Sequence, residues 1–114
     1  MVKTLAAHFE SLGIAALIQK KQEGQVIPDL LLRFPGGDLP FEIQRSDKVE
    51  EAMGHLAKLV ERYQWVSMCF SDVKLMERVK GKVKEEMASE SEKILLLTYK
   101  KGLAMGFADF FKPD

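Results

Sequence analysis

Two carboxylates and a carboxamide lie close together in a predicted β-hairpin. Asp29 follows Pro28 in one apolar segment, and Glu42 and Gln44 lie in the next one, beyond a turn predicted at residues 35–38. Side chains alternate along a strand, so Asp29 is expected to share one face of the hairpin with Glu42 and Gln44. Opposite or diagonal neighbours on such a face have Cβ atoms about 4.5–8 Å apart. This spacing suits a single divalent cation.

This pattern of side chains predicts magnesium, because Mg²⁺ prefers hard oxygen ligands. It usually takes one or two carboxylates and completes its shell with water and substrate phosphate. Gln44 would add an oxygen ligand or a hydrogen bond to a phosphate or water. A simpler alternative is that Asp29 ends a turn and accepts backbone hydrogen bonds. Glu42 fits that alternative less well, because a carboxylate between Phe41 and Ile43 is costly to bury without a partner.

The elements that position these residues follow from hydrophobic periodicity and turn signals. The first helix is expected to end at Gly13, and Asp47 and Glu50 are predicted to form the capping box of the main helix. The predicted segments are a helix at 2–12, strands at 14–18, 26–34 and 39–44, a helix at 46–63, a strand at 64–70, a helix at 71–87, a strand at 93–99 and a short terminal element.

The order of these segments predicts an α/β fold with a mixed β-sheet flanked by helices. The three strands before the main helix are expected to form an antiparallel meander. The two later strands arrive through helices, so they are expected to pair in parallel through right-handed crossovers. With 114 residues, of which 46% are hydrophobic, the chain has the size of one domain spanning residues 1–114.

Composition excludes several other kinds of site. The single cysteine, Cys69, has no partner for a disulfide or a CxxC site, and His8 and His55 lack zinc-ligand spacing.

No apolar run approaches the roughly 20 residues of a membrane span. His8 and Glu10 interrupt the N-terminal segment where a secretory signal would be continuous, so a cytoplasmic location is expected. With 17 basic and 17 acidic residues, binding to nucleic acid would have to rely on a local site or on oligomerisation.

The motif residues resemble those of a known superfamily. Pro28-Asp29, followed after a hairpin by Glu42-Ile43-Gln44, is similar to the PD-(D/E)xK nucleases, with glutamine in place of their lysine. The order helix, three-stranded meander, helix, strand resembles the restriction-endonuclease-like core of that superfamily and extends over roughly residues 5–70. The stretch 42–46, together with residues 61–63, is also similar to the competence-associated and replication-relaxation branches.

This resemblance implies a metal-dependent DNA endonuclease. Asp29 and Glu42 would hold Mg²⁺ or Mn²⁺, and Glu10 on the first helix would add a further carboxylate. The metal would activate a water and neutralise charge on the phosphate during hydrolysis. Gln44 would position the water or the phosphate.

Glutamine at position 44 supplies a dipole where the superfamily has a positive charge. A substitute cation is therefore expected, and Lys48, one turn into the following helix, is the first candidate. Arg45 and Lys20 are the next candidates.

Two alternatives stay open at this point. The first is a catalytically inactive domain of the same fold that serves as a binding or assembly module of a phage or plasmid, which the missing lysine and the zero net charge favour. The second is an unrelated α/β domain without an active site. In either nuclease-fold case a homodimer is expected, because Phe107, Phe110 and Phe111 give the C-terminal segment a large aromatic surface.

Overall fold

The computed structural model describes residues 2–20 and 27–106. It is an α/β structure with a five-stranded mixed sheet flanked by helices, which confirms the predicted class. The elements are α1 (Val2–Ser11), β1 (Ala15–Ile18), β2 (Leu30–Phe34), β3 (Gly37–Gln44), α2 (Val49–Arg62), β4 (Val66–Phe70), α3 (Val73–Glu86), a 3₁₀-helix (Ala88–Lys93), β5 (Ile94–Thr98) and α4 (Tyr99–Ala104).

The strands lie side by side in the order β1-β2-β3-β4-β5. β1 pairs antiparallel with β2, and β2 pairs antiparallel with β3. β4 then lies parallel to β3, and β5 lies parallel to β4. The parallel pairs require crossover connections, which are made by α2 and by α3 with the 3₁₀-helix.

The two faces of the sheet bury two separate apolar clusters. On one face, α1 packs Leu5 and Phe9 against Phe41 and Ile43 of β3. On the other face, α2 and α3 pack against Val66, Met68 and Phe70 of β4. Glu42 lies opposite Met68 and Gln44 opposite Phe70 in the parallel register. Since partners in register share a face, Glu42 and Gln44 lie on the α2 side of the sheet.

The hairpin turn is tighter than the sequence predicts. The prediction of a turn at residues 35–38 is wrong, because Phe34 pairs with Gly37 and only residues 35 and 36 form the turn. Gly37 begins β3 with a φ of 141°, a backbone conformation that residues other than glycine rarely adopt. In this register Leu30 lies opposite Phe41, which leaves Asp29 next to Glu42 just beyond the paired residues.

The start of α2 also differs from the prediction. The prediction of a capping box formed by Asp47 and Glu50 is wrong. Lys48 is the N-cap residue, and its side chain makes no capping hydrogen bond. Instead, the backbone N–H of Lys48 donates to the hydroxyl oxygen of Ser46 at 3.1 Å. The hydroxyl therefore fixes the turn that leads from β3 into α2.

The last described helix, α4, packs against the first helix, α1. Nε2 of His8 lies 2.7 Å from the backbone oxygen of Met105, so the ring N–H can donate to it. A Cβ at Gly102 would lie 3.1 Å from Cδ2 of Leu5, so α4 packs closely on α1. Phe107, Phe110, Phe111 and residue 26 lie outside the described residues. The strand predicted from residue 26 is too long at its start, because residues 27–29 are described and β2 begins at Leu30. Within the described ranges, no helix has the length and apolar character needed to cross a membrane.

Cys69 allows a test of the packing between β4 and α1. Its side chain is fully buried, and burial raises the pKa of its thiol to about 11, although the backbone hydrogen bond at Phe70 acts in the opposite direction. Because the folded pKa lies above the value of about 8.5 in an unfolded chain, the stability gained by keeping the thiol protonated is lost as the pH rises from there towards 11.

We therefore predict that Cys69 reacts with an aromatic disulfide reagent at pH 8 only as fast as the protein unfolds, and completely in guanidinium chloride. Ser89→Cys adds an exposed thiol as an internal control that reacts at once. A native Cys69 that reacts as fast as this control would contradict the described packing.

Candidate active site

Asp29 is held at the start of β2 by its backbone as well as by its side chain. Pro28 precedes it and has no N–H to donate, and β2 begins at Leu30. The backbone oxygen of Asp29 accepts a hydrogen bond from the N–H of Gln19 at 3.0 Å. Its own N–H donates to Oε1 of Glu42 at 3.2 Å. These two bonds fix where the Asp29 side chain begins.

The carboxylate of Asp29 bridges two groups of the chain that follows Glu42. Oδ2 accepts a hydrogen bond from the backbone N–H of Ile43 at 2.8 Å. Oδ1 accepts one from Nη1 of Arg45 at 3.1 Å. The side chain of Asp29 is only 6% exposed, whereas that of Arg45 is 61% exposed. A buried carboxylate is thus paired with a cation that reaches in from the solvent.

Glu42 is the second buried carboxylate. Its side chain is 4% exposed, and Oε1 accepts the hydrogen bond from the N–H of Asp29. Oε2 lies 3.6 Å from Nδ1 of His55 on α2. At that distance the imidazole makes no hydrogen bond in the described geometry, and it is an ion-pair partner when protonated.

Gln44 lies on the same face of β3, two residues beyond Glu42. It is the last residue of β3 and is buried. Its Nε2 donates to the backbone oxygen of Ser46 at 3.2 Å. This bond leaves the amide oxygen available for another donor.

A small cleft opens beside these residues. Its volume is about 210 Å³, which is enough for a hydrated cation or a phosphate group but not for a drug-sized ligand. The cleft is lined by Glu42, Ile43, Gln44, Arg45, Ser46, Glu51 and His55. Its side chains therefore include the carboxylates of Glu42 and Glu51, one amide, one guanidinium and one imidazole. Asp29 does not line the cleft, but it pairs with Arg45, which does.

Two of the residues that the sequence suggests do not join this cleft. Glu10 is exposed on α1, and the buried residues of α1 pack on the opposite face of the sheet. Lys48 is exposed at the N-cap of α2 and is not among the lining residues. The cation that contacts Asp29 is Arg45, so a role for Lys48 or Glu10 stays a prediction.

His55 is a site residue that the sequence reasoning missed. The available signal was its position on the first helix after β3, four residues beyond Glu51, which places both side chains on one side of α2. That helix crosses back over the face that carries Glu42. Zinc-ligand spacing does not indicate it, because the Glu42 carboxylate 3.6 Å from it comes from another element.

The donor chemistry of the cleft fits magnesium or manganese. Asp29 and Glu42 offer hard oxygens, and Mg²⁺ usually needs only one or two carboxylates besides water. In the part of the chain that the structure describes, no group of three or more His, Cys, Asp or Glu side chains is arranged to hold a metal ion. A site with two carboxylates would therefore leave most coordination positions to water and substrate.

Comparison of the chain with protein-family models, curated proteins and solved structures gives no significant match. The residues of the site are therefore the basis for a proposed function.

The contacts of Asp29 predict how two substitutions differ. Asp29→Ala leaves the buried N–H of Ile43 without its acceptor, which should cost about 1–3 kcal/mol of unfolding free energy. Asp29→Asn keeps an oxygen for this bond and should lose less. Urea denaturation of both variants, with the exposed Asp38→Ala as control, measures the difference. Equal losses for Asp29→Ala and Asp29→Asn would contradict the assigned hydrogen bond.

Proposed function

We propose that this chain is a metal-dependent nuclease domain with a restriction-endonuclease-like core that hydrolyses phosphodiester bonds in DNA. The observation that carries the proposal is the direct hydrogen bonding between Asp29 and the segment of β3 that carries Glu42. The N–H of Asp29 donates to Glu42, and the Asp29 carboxylate accepts from the next residue of β3, Ile43. These bonds bring two buried acidic residues next to each other, and Glu42 lines an open cleft.

The arrangement of elements supports the same proposal. α1, the antiparallel pairs of β1, β2 and β3, the helix α2 and the parallel strand β4 follow in the order that the superfamily core has. The motif residues lie at the start of β2 and within β3, on the α2 side of the sheet. A short motif gains weight when its residues occupy the elements that the resemblance requires.

In this mechanism Asp29 and Glu42 would hold Mg²⁺ or Mn²⁺. When bound, the cation supplies an activated water and neutralises charge on the phosphate. Gln44 orients the water or a phosphate oxygen through its available amide oxygen or its second N–H. His55 limits the movement of the Glu42 carboxylate from the α2 side. The backbone bonds of Asp29 keep its carboxylate in place without the metal.

DNA is the proposed substrate because the donor set matches a phosphate group beside a divalent cation. The chain has no net charge, so long-range attraction to DNA is weak and the local charges of the cleft carry the contact. A homodimer would double the length of duplex in contact, and Phe107, Phe110 and Phe111 remain its proposed interface.

The proposal predicts that Asp29→Asn and Glu42→Gln each lower Mn²⁺-dependent cleavage by about 100-fold or more, because removal of electrostatic stabilisation at a transition state has effects of this size. Hydrolysis of single-stranded, duplex and branched DNA is followed with Mg²⁺ and with Mn²⁺. Asp38→Asn, on the exposed start of β3, removes the same charge outside the cleft and should cleave like the wild type. Cleavage that survives in Glu42→Gln would show that the activity comes from a contaminant.

Gln44 provides a second prediction. A lysine at this position would lie on the face of β3 that carries Glu42 and would bring a positive charge to the same cleft. Gln44→Lys should therefore preserve or raise the cleavage rate measured in the same assay. A loss of activity in a folded Gln44→Lys protein would contradict the assigned role of position 44.

The second candidate function is a catalytically inactive module of the same fold that binds DNA or assembles with partners. The ion pair between Arg45 and Asp29 favours it, because this cation already balances one of the two carboxylates without a metal. Complete inactivity of the wild type on every DNA substrate, together with retained DNA binding, would support this candidate and overturn the enzyme.

A further inference from the structure

Arg45 occupies an unusual position between solvent and the buried carboxylates. It directly follows β3 and lines the cleft beside Glu42 and Gln44. Its Nη1 lies 3.1 Å from Oδ1 of Asp29. A metal ion on Asp29 and a guanidinium on the same oxygen would repel each other at close range. Binding of a cation and the present position of Arg45 are therefore in competition.

The exposure of the two partners shows which of them is able to move. The Asp29 carboxylate is buried and also accepts the hydrogen bond from Ile43, so it is held from two sides. The Arg45 side chain is 61% exposed, so the guanidinium end of the ion pair stays in contact with the solvent. Arg45 can leave Asp29 at small cost, because its guanidinium remains hydrated.

The described residues that line the cleft are mostly acidic or neutral. Among the described lining residues, Arg45 is the one with a permanent positive charge, and Glu42 and Glu51 are acidic. A phosphate that enters beside these carboxylates needs a positive partner besides the metal. A guanidinium presents paired N–H donors that match two oxygens of a phosphate.

We propose that Arg45 is an exchangeable counter-ion: it pairs with Asp29 while no divalent cation is bound, and it binds a substrate phosphate after the cation replaces it. This inference rests on the proposed metal-dependent function. It assigns to Arg45 the charge that Gln44 lacks. It also identifies the substrate group that the cleft takes as a phosphate of DNA rather than a neutral part of the nucleotide.

The inference predicts effects of opposite sign for one substitution. Arg45→Ala removes the competitor, so Mn²⁺ should bind about two- to fivefold more tightly, which is the range expected when one solvent-accessible guanidinium no longer competes. The same variant should bind a 20-base-pair duplex more weakly when Ca²⁺ replaces the active metal, because a phosphate contact is lost. A purely structural role would weaken both.

Mn²⁺ affinity is measured by titration calorimetry without DNA, and duplex binding by fluorescence anisotropy with Ca²⁺. Arg45→Lys keeps the charge, so it should retain most of the duplex binding and the wild-type Mn²⁺ affinity. Arg45→Gln serves as a second neutral variant. Lys80→Ala removes a charge from an exposed position of α3 and should leave both affinities within twofold of the wild type.

The possible results distinguish a failure of the role inferred for Arg45 from a failure of the proposed metal-dependent function. Mn²⁺ affinity in Arg45→Ala that is unchanged or weaker than in the wild type overturns the exchange, even if the protein cleaves DNA. Unchanged duplex binding overturns the phosphate contact. A wild type that binds no Mn²⁺ overturns both the inference and the proposed nuclease.

Discussion

The hydrogen bonds between Asp29 and β3 are the constraint on which the site depends. The backbone N–H of Asp29 donates to Glu42, and its carboxylate accepts from the N–H of Ile43. These bonds extend the pairing of β2 and β3 by one residue beyond Leu30 and Phe41, with side-chain oxygens as acceptors. One residue thereby links the start of one strand to the functional face of the next.

This arrangement is possible because β3 is an inner strand of the sheet. β3 lies between the antiparallel pair with β2 and the parallel pair with β4, so its backbone is fixed from both sides. Phe41 and Ile43 anchor it in the cluster beneath α1. Glu42 and Gln44 must then point to the α2 side, where α2 leaves a cleft instead of closing the core. The site is thus a gap in the packing of one layer, supported by the complete packing of the other.

The sequence predicts the parts of this site that depend on alternation along strands. Asp29 and Glu42 were expected on one face of a hairpin, and the structure places them in contact. The tight turn was missed because Gly37 pairs with Phe34 in an extended conformation with positive φ, which composition does not reveal. The contacts of Arg45 and His55 depend on side-chain direction and on where α2 crosses β3. Such long-range geometry is set by tertiary packing, so periodicity cannot supply it.

The central claim is that Asp29 and Glu42 form one cation site. A crystal soaked with Mn²⁺ and measured at the manganese absorption edge tests it most directly. The account predicts one anomalous peak between the two carboxylates, within about 2.3 Å of an oxygen of each, with the Arg45 guanidinium displaced from Asp29. A crystal at saturating Mn²⁺ that shows no peak there, with Arg45 still on Asp29, would contradict it.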